Sequence, residues 1–352
     1  MAPRKKKSGS LRYVVENAPL AQSAASAKLT LPDIPAPSLA DLEVTVPAGE
    51  PISEDALTAR LEQLARSVAD KRERELGEPV QPGDEVCLDI LGYANGRLIP
   101  FSARGQLWTG IAPAAMLPGF YEGLVGVPVG EGKRIELTLP DDYPVASLRG
   151  AAAMFLADVR AAIEVRMPDP ASPDFLQRAG RGDSLEAVMA GLLAELEAEE
   201  RDERWVEAQD GVLDALLERA RIEIPDELVN EEIHRRWTAT EAPLLFEKDF
   251  TREELEEALA GWLTDPATRA DAARRVGISL VLRAIVQRDQ LQLTPALLEQ
   301  LIRAAAKPYG VQPENLNETL KGDPALAEQV ASFGFHLMAV GHVMAQATVI
   351  FS

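Results

Sequence analysis

Few side chains in this 352-residue chain have the type and spacing for covalent chemistry. There is one cysteine, Cys87, and the three histidines, His234, His336 and His342, are isolated from one another. No cysteine or histidine cluster suggests a metal site, and no internal disulfide can form. The least generic stretch is LPGFYEGLVGVPVGEGKRIELTLPDDY, Leu117 to Tyr143. It places Leu117, Phe120 and Tyr143 around a Pro-Gly turn, closely spaced glycines and a strand that stops at Pro140. None of these is an obvious nucleophile or ligand. What they offer is apolar and aromatic surface with one phenolic hydroxyl, a set suited to binding.

The elements that must hold these residues can be read from periodicity. From Pro82 the pattern is β: DEVCLDILGYANGRLI alternates and turns at Asn95-Gly96, a strong hairpin signal. Lys133 to Leu139 and Ala151 to Val165 supply further strands, so 79–167 reads as a small antiparallel α+β domain. Before it, four prolines from Pro32 to Pro47 favour an extended connector ending in a short strand. A helix follows over 53–75, with Ser53 as N-cap and Leu57, Leu61, Leu64 and Val68 on one face. That face needs a partner, expected within 175–352. After Met167 to Asp174, with three prolines, the chain reads as helical to its end. Leu185, Val188, Met189, Leu192, Leu193 and Leu196 recur at helical spacing behind a capping-box start at Asp183 and Glu186. Val212, Leu213, Leu216 and Leu217 form a second set. The expected organisation is therefore a flexible basic tail at 1–30, a linker and helix at 31–78, a sheet domain at 79–167 and a helical domain at 168–352.

Composition narrows the partners. Lys+Arg 36 against Asp+Glu 56 leaves a net charge of −20, and five of the basic residues lie in the first twelve (Arg4, Lys5, Lys6, Lys7, Arg12). The body beyond them carries 31 basic against 56 acidic residues. Such a body repels DNA, since phosphate binding needs a basic stripe. No 18-residue apolar run is present and no apolar segment follows the basic start, so neither a membrane span nor a signal peptide is expected. A single cysteine fits a reducing cytoplasm.

Taken in order, GDEVCLDILGYANG, LPGFYEGLVGVPVGEGKRIELTLPDDY and LRGAAAMFLADV resemble an FKBP-type prolyl isomerase domain, in the version carried by the bacterial trigger factor family. Gly83, Asp84, Val86, Asp89, Gly92, Gly96, Pro118, Gly119, Phe120, Leu124, Gly126, Gly130, Glu131, Pro140, Asp142, Tyr143, Leu148, Gly150 and Phe155 fall in register with that pattern. The segments on either side resemble the linker helix and the helical substrate-binding domain of the same family, so the likeness runs over about residues 31–352. The family's ribosome-docking loop, G-F-R-x-G-K-x-P, does not occur here.

The resemblance implies an α+β protein: a small antiparallel FKBP-like half-barrel plus an all-α, arm-bearing chaperone domain. It implies a peptidyl-prolyl cis-trans isomerase that needs no cofactor and no metal. Phe120 would floor the pocket, Tyr143 would supply a hydroxyl to the substrate peptide, and Phe155 would close the opposite wall. Met116 and Leu117 would form one side wall, and Ile90 and Ile99 stand where the family usually has aromatics. Pro100 stands where an acid is usual, so weak activity is expected. Partners implied are unfolded or nascent polypeptides, without ribosome docking, DNA or membrane. A catalytically weak or inactive holdase, or a dedicated assembly chaperone, is the alternative; the sequence does not specify an oligomeric state.

Overall fold

The structure is a computed structural model that describes residues 31–111, 117–143, 145–307, 320 and 322–352. It begins with strand β1 (Glu43–Val46), helix α1 (Glu54–Ser67) and strand β2 (Asp70–Glu73). The strands β3 (Glu85–Ala94), β4 (Arg97–Leu98) and β5 (Arg104–Gly110) follow, then the one-turn helix α2 (Phe120–Leu124). After β6 (Gly132–Thr138) and β7 (Ala152–Arg166) come the helices α3 (Pro173–Ala179), α4 (Leu185–Ala220), α5 (Asp226–Thr240) and α6 (Ala242–Glu247). The chain continues through α7 (Arg252–Thr264), α8 (Pro266–Arg288), α9 (Pro295–Ala306) and α10 (Pro324–Met344) to strand β8 (Thr348–Phe351). The fold is thus α+β. Two compact units are distinguished: residues 49–202 with 233–269, and the described residues up to Ala48 with 203–232 and 270–352.

In the first unit every strand pairing is antiparallel. The long β7 lies between β3 on one edge and β2 and β6 on the other, while β3 pairs on its far edge with β4 and β5. Asn95 and Gly96 turn the β3–β4 hairpin with φ of 53° and 75°, the left-handed pair that a type I′ turn demands. Register slips between Cys87 and Leu88 against β7, and again between Leu88 and Ile90 against β5. Bulges of this kind bend a strand and raise its twist. β3 is buried at nearly every position, and its apolar side chains join one core with Phe120, Leu124, Ile135, Phe155 and Val159.

The helix expected over 53–75 is shorter, because the chain leaves it at Ser67 and Asp70–Glu73 pairs with the end of β7 as β2. Its run of charged residues hides no apolar alternation, and cross-strand pairs to Glu164 and Arg166 hold it instead. Ser53 is the N-cap, its side chain accepting from the Ala56 N–H at 3.1 Å. Leu57, Leu61, Leu64 and Ala65 pack on Phe175, Leu176, Val188 and Leu192, the partner surface the apolar stripe required. The cap of α4 falls one residue later than the Asp183 reading: Ser184 Oγ accepts from the Ala187 N–H at 3.2 Å. The two apolar sets of that segment are one unbroken helix of 36 residues.

The second unit is mainly helical. Val212, Leu213 and Leu216 of α4, Ile278 to Ile285 of α8, and Ala339, Val340 and Val343 of α10 form its main core with Leu39 and Leu42. Arg274 bridges Asp210 and Asp214 at 3.0 and 2.6 Å. The expectation of an all-α segment from 168 onward is corrected at its end. Thr348–Phe351 forms a parallel pair with β1, in register Glu43↔Thr348 to Val46↔Phe351. A four-residue strand placed directly after a 21-residue apolar helix carries no separate periodic signal.

Candidate functional site

Phe120 reaches its place because Pro118 and Gly119 turn the chain sharply. Gly119 has φ 86°, a conformation that L side chains disfavour, and it precedes the single turn of α2. Helix α2 then drives Phe120, Tyr121 and Leu124 into the sheet's concave face, all of them buried. Phe120 meets Phe155 edge to face, with ring centroids 5.6 Å apart and planes at 83°. Such a pair adds about 0.5–1.5 kcal/mol to simple area burial. Phe155 lies flat along β3 only because residue 92 is glycine: a Cβ there would stand 2.6 Å from the Phe155 ring and 2.9 Å from Ser102 Cβ.

These residues open onto a cleft of about 410 Å³ lined by Ile90, Phe101, Ser102, Arg104, Leu117, Phe120, Pro140, Asp142, Tyr143 and Phe155. Five of the seven side chains singled out from the sequence therefore meet at one cleft. Ile99 does not: it is 1% exposed and sits within the core. Met116 lies outside the described residues. Pro100 turns toward α7, where a Cβ added at Gly261 would be 3.2 Å from its Cγ.

Tyr143 is half-buried. Its backbone is pinned on both sides, the N–H donating to Pro140 O at 3.1 Å and the C=O accepting from Arg149 Nε at 2.8 Å. Burial pushes its phenol above the ordinary range, and the Arg104 guanidinium partly offsets this. Among the described residues no partner occupies the Tyr143 hydroxyl, and no carboxylate lies within ion-pair distance of Arg104. The cleft thus has an apolar floor, the free hydroxyl of Tyr143, the cation of Arg104 and the carboxylate of Asp142. It has no nucleophile paired with a base, and among the described residues no cluster of three or more His, Cys, Asp or Glu could hold a metal.

Sequence reasoning missed Phe101, Ser102 and Arg104. Phe101 has φ 67° and Gln106 φ 52°, left-handed turns at residues with no glycine to announce them. Two acids inside the recognised pattern, Asp84 and Asp89, prove structural. Asp84 binds Arg74 at 2.5 Å, with both side chains nearly buried. Asp89 is 3% exposed and accepts from the Gln106 N–H at 2.8 Å and Arg160 Nε at 2.6 Å. Burial alone would raise its carboxyl, but these donors hold it below the ordinary range.

The architecture defines an α+β protein whose antiparallel sheet presents an apolar cleft. Comparison with known proteins then gives the family likeness. The family model described as the bacterial trigger factor protein C-terminus matches residues 184–340. The trigger factor of Novosphingobium aromaticivorans is 31% identical over 306 residues, which cover 85% of this chain and 57% of that protein. Those of Ruegeria pomeroyi and Halothermothrix orenii are 27% and 25% identical, over 91% and 77% of this chain and 70% and 63% of theirs. The chain therefore spans between half and three quarters of the length of these curated relatives. A solved trigger factor chaperone, described for promiscuous substrate recognition in folding and assembly, aligns with a TM-score of 0.32 and 17% identity over 89% of this chain and 73% of that one. The chain is trigger factor-like.

Proposed function

We propose that the sheet domain is an FKBP-type peptidyl-prolyl cis-trans isomerase and that the helical part holds unfolded or nascent polypeptide. The observation that carries this reading is the convergence of Ile90, Leu117, Phe120, Tyr143 and Phe155 on one cleft. Rotation about an X-Pro bond must overcome about 18–20 kcal/mol of lost amide resonance. No bond breaks and no proton moves. A site accelerates it by fitting the twisted amide better than either planar form. Phe120 and Phe155 take the proline ring between an apolar floor and wall, and water is excluded from the amide. The Tyr143 hydroxyl is free to donate to a substrate carbonyl. In this reading the domain runs over 79–167, with the linker at 31–78 and the chaperone domain at 168–352.

Activity is expected to be weak, since Ile90 replaces an aromatic wall and Pro100 removes a polar anchor. The test is cis-to-trans turnover of a short prolyl peptide by the full chain. Turnover that falls several-fold in Tyr143→Phe supports the site, and parent-like turnover in both Tyr143→Phe and Phe120→Leu contradicts it.

A holding role, with the isomerase weak or inactive, is favoured by the apolar surface of the second unit. Trp205 is 54% exposed and stacks edge-on against the exposed Phe351, with Val206 and Ile350 nearby in sequence. Phe335 is also exposed, beside a hollow of about 490 Å³ lined by Leu282, Val286, His336 and Ala339. Exposed apolar patches of this sort mark interaction surfaces. The acidic body motivates the proposal of action free of DNA and of ribosome docking, and the single cysteine, Cys87, that of action in a reducing cytoplasm. No helix among the described residues is long and apolar enough to cross a membrane.

A further inference from the structure

The cleft wall formed by Phe101, Ser102 and Arg104 does not stand on the sheet alone. Within the same compact unit, the helical pair α6 and α7 is seated against this segment. At its centre is Glu241, 0% exposed, the residue just before α6. One of its carboxylate oxygens accepts from the Ala103 N–H at 3.0 Å and the other from Trp262 Nε1 at 2.6 Å. Trp262, 2% exposed, in turn packs its ring on Phe101, with centroids 3.9 Å apart and planes tilted by 40°. Leu244 backs Gly105, where a Cβ would stand 3.3 Å from its methyl, and Pro100 faces Gly261. A flanking ion-pair group ties Glu247 to Arg160 at 3.0 Å and Lys248 to Asp158.

Phe101 occupies the left-handed region, which an aromatic residue adopts only when its surroundings over-determine it. The surroundings that do so here are Trp262 on the ring and Glu241 on the amide two residues on. Glu241 bonds to a loop amide and to an indole from a different helix, so removing it frees two elements at once. A buried carboxylate is a poor source of net stability, because its desolvation opposes what its bonds provide. Its two donors do give it a defined geometric task.

We propose that Glu241 is a positioning residue of the cleft. Together with Trp262 it holds Phe101–Arg104 in the shape that forms the wall, so that the cleft accepts a prolyl segment only while the α6–α7 pair is seated. The proposal rests on the isomerase reading for its ligand, and on the seating geometry alone for its structural claim. Occupation of the cleft and seating of the helices are then linked, each favouring the other.

The experiment uses the full chain with Glu241→Ala, Glu241→Gln, Trp262→Ala and Trp262→Phe. Two quantities are read: amide hydrogen exchange of residues 101–104, and KM and kcat for a prolyl tetrapeptide with leucine before the proline. Loss of a buried carboxylate that serves two donors should raise exchange at 101–104 and KM by roughly fivefold or more. The change in kcat should stay within about twofold, as expected when binding and not the twisted state is affected. Trp262→Phe keeps the ring contact and loses one donor, so it should fall between the parent and Trp262→Ala. Should Glu241→Ala fail to fold, Glu241→Gln and Trp262→Phe carry the test. Parent-like exchange and KM in every folded variant would overturn the proposal, as would a loss confined to kcat. If the parent neither binds nor turns over the peptide, the isomerase reading falls, and exchange at 101–104 alone decides whether Glu241 holds the wall.

Discussion

Phe120 serves two ends, and this shapes what its substitution can reveal. It is 2% exposed and one of the largest fully buried side chains, yet its ring edge also floors the cleft. Truncation to alanine should therefore destabilise by about 3–5 kcal/mol as well as empty the floor. Tyr143→Phe is the cleaner probe, since only the hydroxyl goes and no partner is left unpaired. Its loss should lower kcat/KM by roughly 2- to 12-fold, the range of one ordinary hydrogen bond, with an unchanged melting midpoint. An equal kcat/KM would show that the hydroxyl makes no substrate contact. His336 gives a prediction of a different kind. Burial lowers its imidazole from 6.5 to about 4, and its Nε2 is buried without a partner. Arg283 and Glu328 line the same hollow. The folded state holds this ring neutral while the unfolded chain protonates it near 6.5, so stability is full above that pH and declines as pH falls toward 4. The decline should reach roughly 3 kcal/mol. Denaturant midpoints at pH 7.5 and 5, compared with those of His336→Leu, would check it. A variant with the same pH dependence as the parent would assign the loss to other groups.

Helix α1 is the clearest case of an element predicted from its own pattern. Leu57, Leu61 and Leu64 lie partly buried against Phe175, Val188 and Leu192. Replacing all three by alanine should cost about 1–2 kcal/mol each and lower the thermal midpoint together with the helical signal of circular dichroism. An unchanged melt would mean that the helix is not held there. Such stripes are legible because i, i+4 spacing and a side-chain cap are properties of a few adjacent residues. The Asn95-Gly96 hairpin and the strands around it were legible for the same reason. The β1–β8 pair was not, since it joins Glu43–Val46 to Thr348–Phe351 across nearly the whole chain, and neither four-residue segment announces its partner. The end of α1 was misplaced because β2 is charged throughout and is a strand only by virtue of β7. The cleft divides similarly. Its floor at Phe120 and the facing wall at Phe155 follow from ordered motifs and glycine sterics. The wall at Phe101–Arg104 was invisible, since its shape is set by Glu241 and Trp262, more than 130 positions away in the chain.

Charge and the division of labour between cleft and helices are properties of the whole chain. With 31 basic against 56 acidic residues beyond position 12, the body should be repelled by ribosomal RNA. The four charges from Arg4 to Lys7 offer only salt-sensitive contacts, which weaken as counterion release becomes less favourable. Sedimentation through a sucrose cushion at physiological salt should therefore leave the protein in the supernatant. Stoichiometric co-pelleting with ribosomes that survives removal of residues 1–12 would reveal a docking surface on the body. The central claim, that an apolar cleft without nucleophile or metal turns prolyl bonds in folding chains, is tested most directly by proline-limited refolding of a client protein. Uncatalysed isomerisation takes roughly 10–100 s at 25 °C, so its phase is easily separated from the rest of folding. The measurement is the rate of that slow phase with the chain at one-twentieth of the client concentration or less. The account predicts that the parent accelerates it and that Tyr143→Phe accelerates it less. An unaltered slow phase at every substoichiometric ratio, with aggregation suppressed only near equal concentrations, would contradict it and leave a holding chaperone.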